Sequence, residues 1–152
     1  MKVRQAMSAD VETVLPTLSI TEAAGRMCKQ GIGYFPVCQK GRLVGIITDR
    51  DITCRIVADH RDPAVTKVRD IMSKAVAYCF DDDDLAAAIH LMEQNQIRRI
   101  PVLDRKENLV GVLSLIDVAQ RAPHRLTAEL VEAVTRETPL SITLNPAADI
   151  LK

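Results

Sequence analysis

The stretch GIITDRD at residues 45–51 returns as GVLSLID at residues 111–117, an offset of 66 residues. The stretch VRQAMS at residues 3–8 returns as VRDIMS at residues 68–73, an offset of 65 residues. The difference predicts one inserted residue in the second copy, near Asn108. Repetition at this spacing is typical of two copies of one supersecondary unit that stack on each other. Binding sites then tend to lie in the clefts between the copies.

Composition indicates an ordinary globular chain. The 152 residues are 47% apolar and include 20 basic and 20 acidic side chains, so the formal net charge is zero. A protein built to grip nucleic acid needs a basic excess, and the charge therefore argues against that partner. No apolar run approaches the roughly 20 residues that span a bilayer, and no signal sequence follows Met1. We expect a cytoplasmic protein without membrane contact.

Residues that could bind a metal or perform catalysis are scattered. The four cysteines form no C-x-x-C pair, and they are Cys28, Cys38, Cys54 and Cys79. The aspartate run at 81–84 lacks the alternating spacing of a calcium loop and reads as the cap and first-turn charge of a helix. The three histidines have no nucleophile arranged with them. The sequence therefore predicts no metal site, no required cofactor and no enzyme activity.

Each copy predicts the same order of elements: an extended lead-in, a strand, a helix, two further strands and a last helix. In the first copy the lead-in lies near residues 3–8 and the three strands near 11–15, 34–38 and 43–48, while the two helices begin near residues 20 and 49. In the second copy the lead-in lies near residues 68–73 and the three strands near 76–80, 100–103 and 109–114, while the two helices begin near residues 85 and 115.

The two first helices carry matching apolar stripes. Residues at i, i+3, i+4 and i+7 are apolar in both, namely Ile20, Ala23, Ala24 and Met27, and Leu85, Ala88, Ile89 and Met92. This spacing predicts one buried face per helix. Ser19 with Glu22 fits a capping box, and Asp84 is suited to the cap position of the second copy.

These elements predict an α/β (α+β) fold of two β-α-β-β-α repeats related by a pseudo-twofold axis. We place the repeats at residues 1–60 and 68–121, a linker at 61–67, and a C-terminal helix and tail at 122–152. Apolar residues at every fourth position predict an amphipathic helix over about 126–136, and they are Leu126, Leu130 and Val134.

The repeated turn is suited to a phosphate and a sugar. A helix begins after Thr48, where its first N–H groups lack partners and its partial positive charge favours an anion. The Thr48 hydroxyl can donate to a phosphate oxygen, and Asp51 offers acceptors to ribose hydroxyls. Gly45 lets a ligand or another strand approach closely. The second copy offers Gly111, Ser114 and Asp117. The same residue types also form ordinary helix caps, and the two interpretations are compatible.

Each copy contains the same four motifs in the same order, namely V-R-x-x-M-S, A-x-x-x-M, I-x-x-x-P-V and L-V-G-x-x-T/S-x-x-D. Together, over about residues 1–121, these motifs resemble the cystathionine beta-synthase (CBS) domain family. The resemblance implies a free-standing CBS pair, or Bateman module. Such a pair binds an adenosine-containing ligand (AMP, ADP, ATP or S-adenosylmethionine) between the repeats and reports its state to a partner.

The resemblance also implies ligand contacts outside the turns. Basic residues before Pro-Val touch phosphates in relatives, which points to Arg98 and Arg99, and Arg50 is a further candidate. Arg50 corresponds to Ile116 in the second copy. An apolar slot for adenine would face Thr48 and Asp51, formed by Met72, Ala77 and Ile97. In the other site, Met7, Glu12 and Ile32 would face Ser114 and Asp117. Core packing and a solvated arginine pair are the alternatives.

The resemblance further implies a homodimer that pairs through its helices, with candidate interface residues Ile52, Ile56, Val57, Leu126, Leu130 and Val134. The leading hypothesis is a regulatory nucleotide sensor with an unidentified regulated protein as partner. The alternative is a ligand-free dimeric scaffold in which the turn motifs are only caps. The net charge argues against a third interpretation, in which nucleic acid contacts Arg98, Arg99, Arg121, His124 and Arg125.

Overall fold

The structure, a computed structural model, describes residues 1–135, with the side chains of 129, 130 and 133–135 outside that description. A 3₁₀ turn at Val3–Gln5 precedes the first half, which consists of α1 (Ile20–Gln30), β1 (Tyr34–Gln39), β2 (Arg42–Thr48) and α2 (Asp49–Ile52), continued by a π-helical segment at Thr53–Val57. The second half consists of α3 (Val68–Ile71), β3 (Cys79–Phe80), α4 (Leu85–Gln94), β4 (Arg99–Leu103), β5 (Leu109–Ser114), α5 (Leu115–Arg121) and α6 (His124–Thr135).

The strands form one small sheet in each half. β1 and β2 pair antiparallel, while β3 lies parallel to β4, and β4 pairs antiparallel with β5. The strand predicted at 11–15 is reduced to one parallel bridge between Val14 and Val37, and Pro16, which has no N–H to donate, follows it closely. The strand predicted at 76–80 keeps only Cys79–Phe80. The hairpins also agree with the predicted insertion. Cys38 pairs with Leu43, whereas its counterpart Leu103 pairs with Leu109, so the second hairpin is one residue longer.

The prediction of extended lead-ins is wrong, because both begin with a helical turn. The Gln5 side chain accepts a hydrogen bond from the Lys2 backbone N–H at 2.7 Å, and Asp70 does the same for Lys67 at 2.9 Å. These bonds satisfy a donor at the start of each turn and stabilise it. Only the end of each lead-in is extended, where a bridge forms with a strand.

The lead-ins are exchanged between the halves. Val68 and Ile71, which open the second copy in sequence, are buried in the core of the first half. Val3 and Ala6 are buried in the core of the second half. Ser73 then bridges Ile46 in β2, and Ser8 bridges Val112 in β5. Each half therefore depends on a segment that the sequence assigns to the other repeat, although the repeat boundaries themselves stay a prediction.

The predicted helix faces are confirmed. Ile20, Ala23 and Met27 in α1 are buried, with Ala24 at its margin, and so are the four predicted residues of α4. Ser19 caps α1 as predicted, since its hydroxyl accepts from the Glu22 backbone N–H at 3.2 Å. Asp84 precedes α4 but its side chain makes no cap hydrogen bond. It accepts instead from Lys2 Nζ at 2.9 Å, which ties the N-terminus to the second half.

The C-terminal helix is present as α6, and Leu126 packs against the core of the second half. The predicted helix end at Arg136 and the tail from Thr138 lie outside the described residues, as do the side chains of Leu130 and Val134. Within residues 1–135, none of the helices combines the length and apolar character needed to cross a membrane.

Candidate functional site in the clefts between the halves

Two clefts lie between the halves, one at each repeated turn. The Thr48 cleft has a volume of about 700 Å³ and is lined by residues 33–34, 46, 48–50, 73, 75–77 and 95–99. The Ser114 cleft has a volume of about 640 Å³ and is lined by residues 8, 10–12, 30, 32, 34, 99, 112, 114 and 117. Both volumes fall in the range of small-molecule sites.

The Thr48 turn forms a complete capping box. Asp51 Oδ2 accepts from the Thr48 backbone N–H and from its hydroxyl, both at 2.9 Å, and Thr48 Oγ1 accepts from the Asp51 N–H at 3.1 Å. The other oxygen, Asp51 Oδ1, lies 3.4 Å from the Arg55 guanidinium. The predicted cap and the predicted ligand contacts therefore involve the same atoms.

The Ser114 turn repeats this arrangement with one more bond. Asp117 Oδ2 accepts from the Ser114 N–H at 2.8 Å and from its hydroxyl, while Oδ1 accepts from Ser8 Oγ at 2.7 Å and from Arg121. Burial raises the pKa of Asp117, but the hydrogen bonds from the two serines and Arg121 together hold it below its ordinary value of 3.8. Asp117 is therefore a buried, ionised carboxylate.

An arginine four residues after each aspartate connects the turn to the exchanged lead-in. Arg55 donates to the Ile71 carbonyl, and Arg121 donates to the Ala6 carbonyl at 2.9 Å. Neither role was predicted, although both copies share the spacing T/S-x-x-D-x-x-x-R.

The glycines of the two turns accommodate the lead-ins. A Cβ at Gly45 would lie 2.7 Å from Met72 Sδ and 2.9 Å from the Ser73 carbonyl oxygen. A Cβ at Gly111 would lie 2.7 Å from Met7 Sδ and 2.8 Å from the Ser8 carbonyl oxygen. The sequence predicted that a glycine here lets either a ligand or another strand approach closely. These contacts show close approach of the bridged lead-in.

Most of the predicted site residues line a cleft. The Thr48 cleft includes Thr48, Arg50, Ala77, Ile97, Arg98 and Arg99, whereas Gly45, Asp51 and Met72 are not among its lining residues. The Ser114 cleft includes Ser114 and Asp117 together with Glu12 and Ile32. Met7, Gly111 and Ile116 line neither of the two clefts, and Ile116 is 59% exposed.

Tyr34 is the main cleft residue that was not predicted. It lines both clefts, its hydroxyl is buried, and no hydrogen-bond partner for that hydroxyl is found among the described residues. Burial raises the pKa of this hydroxyl. The Arg99 guanidinium lies 5.9 Å from the ring centroid. The signal was present in the repeat, because Tyr34 and Arg99 occupy the same position before Pro-Val.

The two linings differ in charge. Three arginines and one aspartate line the Thr48 cleft, and they are Arg50, Arg98, Arg99 and Asp49. Three carboxylates and one arginine line the Ser114 cleft, and they are Asp10, Glu12, Asp117 and Arg99. Two of these carboxylates also pair with arginines outside the lining, Glu12 with Arg26 and Asp117 with Arg121. The Thr48 cleft is the better match for an anion.

The prediction that the aspartate run supplies first-turn charge is wrong, because α4 begins at Leu85 and its first turn contains no acidic residue. In the aspartate run, Asp82 and Asp83 pair with Arg105, whose guanidinium lies 4.1 Å from the Phe80 ring centroid. Among residues 1–135, no group of three or more His, Cys, Asp or Glu side chains is placed to hold a metal ion.

Of the helix residues proposed for a dimer, Ile56 is 2% exposed within the core of its own half, so it is not available to a partner, whereas Val57 is 66% exposed.

The geometry and the repeat define a CBS domain pair, and comparison with known families agrees. The family model described as CBS domain matches residues 3–58 and 68–124. The chain belongs to the CBS domain family.

Similar proteins fit the same architecture. The CBS domain-containing protein YhcV of Bacillus subtilis is 41% identical over 117 residues, which cover 77% of this chain and 82% of YhcV. The crystal structure of Hypoxic Response Protein I with two coordinated zinc ions has a TM-score of 0.72 at 30% identity, covering 79% of this chain and 98% of that one. The crystal structure of the CBS domain pair of protein MJ0100, in complex with 5-methylthioadenosine and S-adenosyl-L-methionine, has a TM-score of 0.69 at 27% identity. The match covers 79% of this chain and 94% of the MJ0100 chain.

Proposed function

We propose that this chain is a regulatory module that binds an adenosine-containing nucleotide in the Thr48 cleft and passes the change in shape to a partner. The observation that carries this proposal is the lining of that cleft, which combines three arginines and a threonine hydroxyl with an apolar surface. The MJ0100 pair, which has the same fold, is complexed with two adenosine compounds.

The polar side of the cleft supports phosphate binding. Arg98 and Arg99, at the start of β4, line the cleft together with Thr48 at the end of β2 and Arg50 in α2. Guanidinium groups present a planar set of donors that matches phosphate oxygens. A phosphate held between these two edges would neutralise like charges that otherwise repel each other across the cleft.

The apolar side supports adenine binding. Ile46 on one side, and Ala75, Val76, Ala77 and Ile97 on the other, line the same cleft. A purine ring gains free energy when it leaves water for such a surface, and it needs few polar partners. The ribose would then lie near Asp51, whose Oδ1 atom is engaged, among the residues that the structure describes, by the Arg55 ion pair alone, at 3.4 Å.

A thermal-unfolding panel with AMP, ADP, ATP, S-adenosylmethionine and GTP tests the proposal. A ligand at 100 times its Kd adds about 2.7 kcal/mol of stability, which corresponds to a rise in Tm of roughly 5–10 °C for a chain of this size. We expect a rise with at least one adenosine compound and a smaller rise with GTP. No rise with any of them, from protein stripped of bound nucleotide, would contradict the proposal.

Arg98→Ala locates the site, because Arg98 lines only the Thr48 cleft. The loss of a charge-assisted hydrogen bond, worth about 1.5–3 kcal/mol, should weaken nucleotide binding roughly tenfold to a hundredfold. Arg61→Ala is the matched control, since Arg61 is exposed and lines neither cleft. Equal affinities in the two variants would place the nucleotide elsewhere.

A ligand-free scaffold is the second candidate, and the complete capping boxes at both turns favour it. In that case the hydroxyls and carboxylates that we assign to ligand serve only the helices. A flat thermal panel together with a stable dimer would support the scaffold.

A further inference from the structure

Arg99 and Tyr34 are the two residues that line both clefts. Their side chains lie against each other, with the Arg99 guanidinium 5.9 Å from the Tyr34 ring centroid. The pair therefore forms a common wall, and a ligand in either cleft meets the same guanidinium. Arg99 is an exposed side chain at the first position of β4, so few packing contacts hold it toward one cleft.

The two clefts depend on Arg99 to different degrees. The Thr48 cleft keeps Arg50 and Arg98 if Arg99 turns away. The Ser114 cleft has no other cationic side chain in its described lining, which also holds three carboxylates. An anion could therefore occupy the Ser114 cleft only with the help of the arginine that the Thr48 cleft also uses.

We infer that the shared Arg99 makes the two clefts compete for anionic ligands, so that each chain holds one phosphate-bearing nucleotide at a time. The inference rests on the proposed function and adds its regulation. Phosphate in the Thr48 cleft holds Arg99 there and leaves the Ser114 cleft with three carboxylates and no cationic side chain in its described lining. Repulsion between those carboxylates and a second phosphate then weakens its binding.

Isothermal titration with ADP tests the coupling. We expect one strong site per chain and a second site weaker by about tenfold or more, the equivalent of one charge-assisted contact. In the double variant Glu12→Gln with Gln30→Arg, the Ser114 cleft gains its own cation and loses a carboxylate. Both changes lie on the cleft lining. This variant should bind two ADP molecules with Kd values within about threefold of each other, because neither cleft then needs Arg99 alone.

The control is Asp59→Asn with Gln120→Arg, which makes the same change in net charge at exposed positions outside both linings. It should keep one strong site. Ile32→Arg, at a 38% exposed position in the Ser114 cleft, supplies the cation by another route if the first variant folds poorly.

Two equal, tight ADP sites in the wild-type chain would overturn the coupling while leaving the proposed function intact. A single site that persists in both Ser114-cleft variants would overturn it as well. Absence of ADP binding would overturn the coupling, and the thermal panel decides separately whether the proposed function fails too.

Discussion

Replacing Gly111 by alanine should destabilise the chain through contact with a segment about 100 residues away in sequence. The added Cβ would lie 2.8 Å from the Ser8 carbonyl oxygen and 2.7 Å from Met7 Sδ. Met7 can change rotamer because thioether side chains are flexible. The Ser8 carbonyl oxygen belongs to the backbone, so it can withdraw only if the lead-in moves away from β5.

The magnitude follows from what that movement breaks. Ser8 and Val112 exchange two backbone hydrogen bonds, at 3.0 and 2.9 Å. Each is worth about 1 kcal/mol, and overpacking in a filled core costs about 1–3 kcal/mol. We expect Gly111→Ala to lower the free energy of unfolding by about 2–3 kcal/mol. The movement would also lengthen the bond from Ser8 to Asp117, which is 2.7 Å.

Urea unfolding followed by far-ultraviolet circular dichroism measures this difference. Gly25→Ala is the matched control, because nothing lies within 4 Å of a Cβ at that position in α1. Alanine there should stabilise the chain by about 1 kcal/mol through helix propensity. The reasoning is refuted if Gly111→Ala unfolds within about 0.5 kcal/mol of wild type, or if the two variants change in the same direction.

The remaining predictions concern caps, acid stability, the buried hydroxyl and assembly. Ser19→Ala should lower unfolding free energy by about 1 kcal/mol. Asp84→Ala should cost less in the same urea titration, because Asp84 makes no cap bond. The pKa of folded Asp117 lies below 3.8, so its stabilising contribution is complete above that value and is lost as pH falls through the folded-state pKa. Melting curves from pH 5 to 2 should decline less steeply for Asp117→Asn. Tyr34→Phe should leave the Tm of the ligand-free chain unchanged or higher, since the hydroxyl lacks a described partner, and a fall of several degrees would contradict this. Light scattering should give twice the 16.8 kDa chain mass, and a clean monomer would contradict the predicted dimer.

The helix faces and the hairpins were predictable because their signals are local. Four apolar residues at i, i+3, i+4 and i+7 specify a buried face in any compact fold, and both copies carry them. The lead-ins were not predictable in this way. Val3 with Ala6, and Val68 with Ile71, show only one i, i+3 step each, which is too short to identify a helix. Packing in the core of the other half decides their conformation.

The clefts were predictable where the two copies agree and less so where they differ. Thr48 and Ser114 stand at equivalent positions, so the repeat itself identified both turns. Tyr34 was passed over because its counterpart is Arg99, and only the structure shows that these unlike residues meet. The opposite charge of the two clefts depends partly on Asp10 and Glu12, which lie in a segment that makes a single bridge to β1.

The arginines that follow the two turns limit how strongly a ligand in the cleft can act on the lead-ins. Arg55 contacts both Asp51 and the Ile71 carbonyl, so a ribose that recruits Asp51 competes with one of its two interactions. The Arg55 side chain is 45% exposed, and an ion pair at such a site is worth at most about 1 kcal/mol. A ligand shifts a conformational equilibrium only by its differential affinity for the two states. Competition at Asp51 alone would therefore change the population of a second state by less than about tenfold. A larger response would need further contacts between the ligand and the chain that differ between the two states.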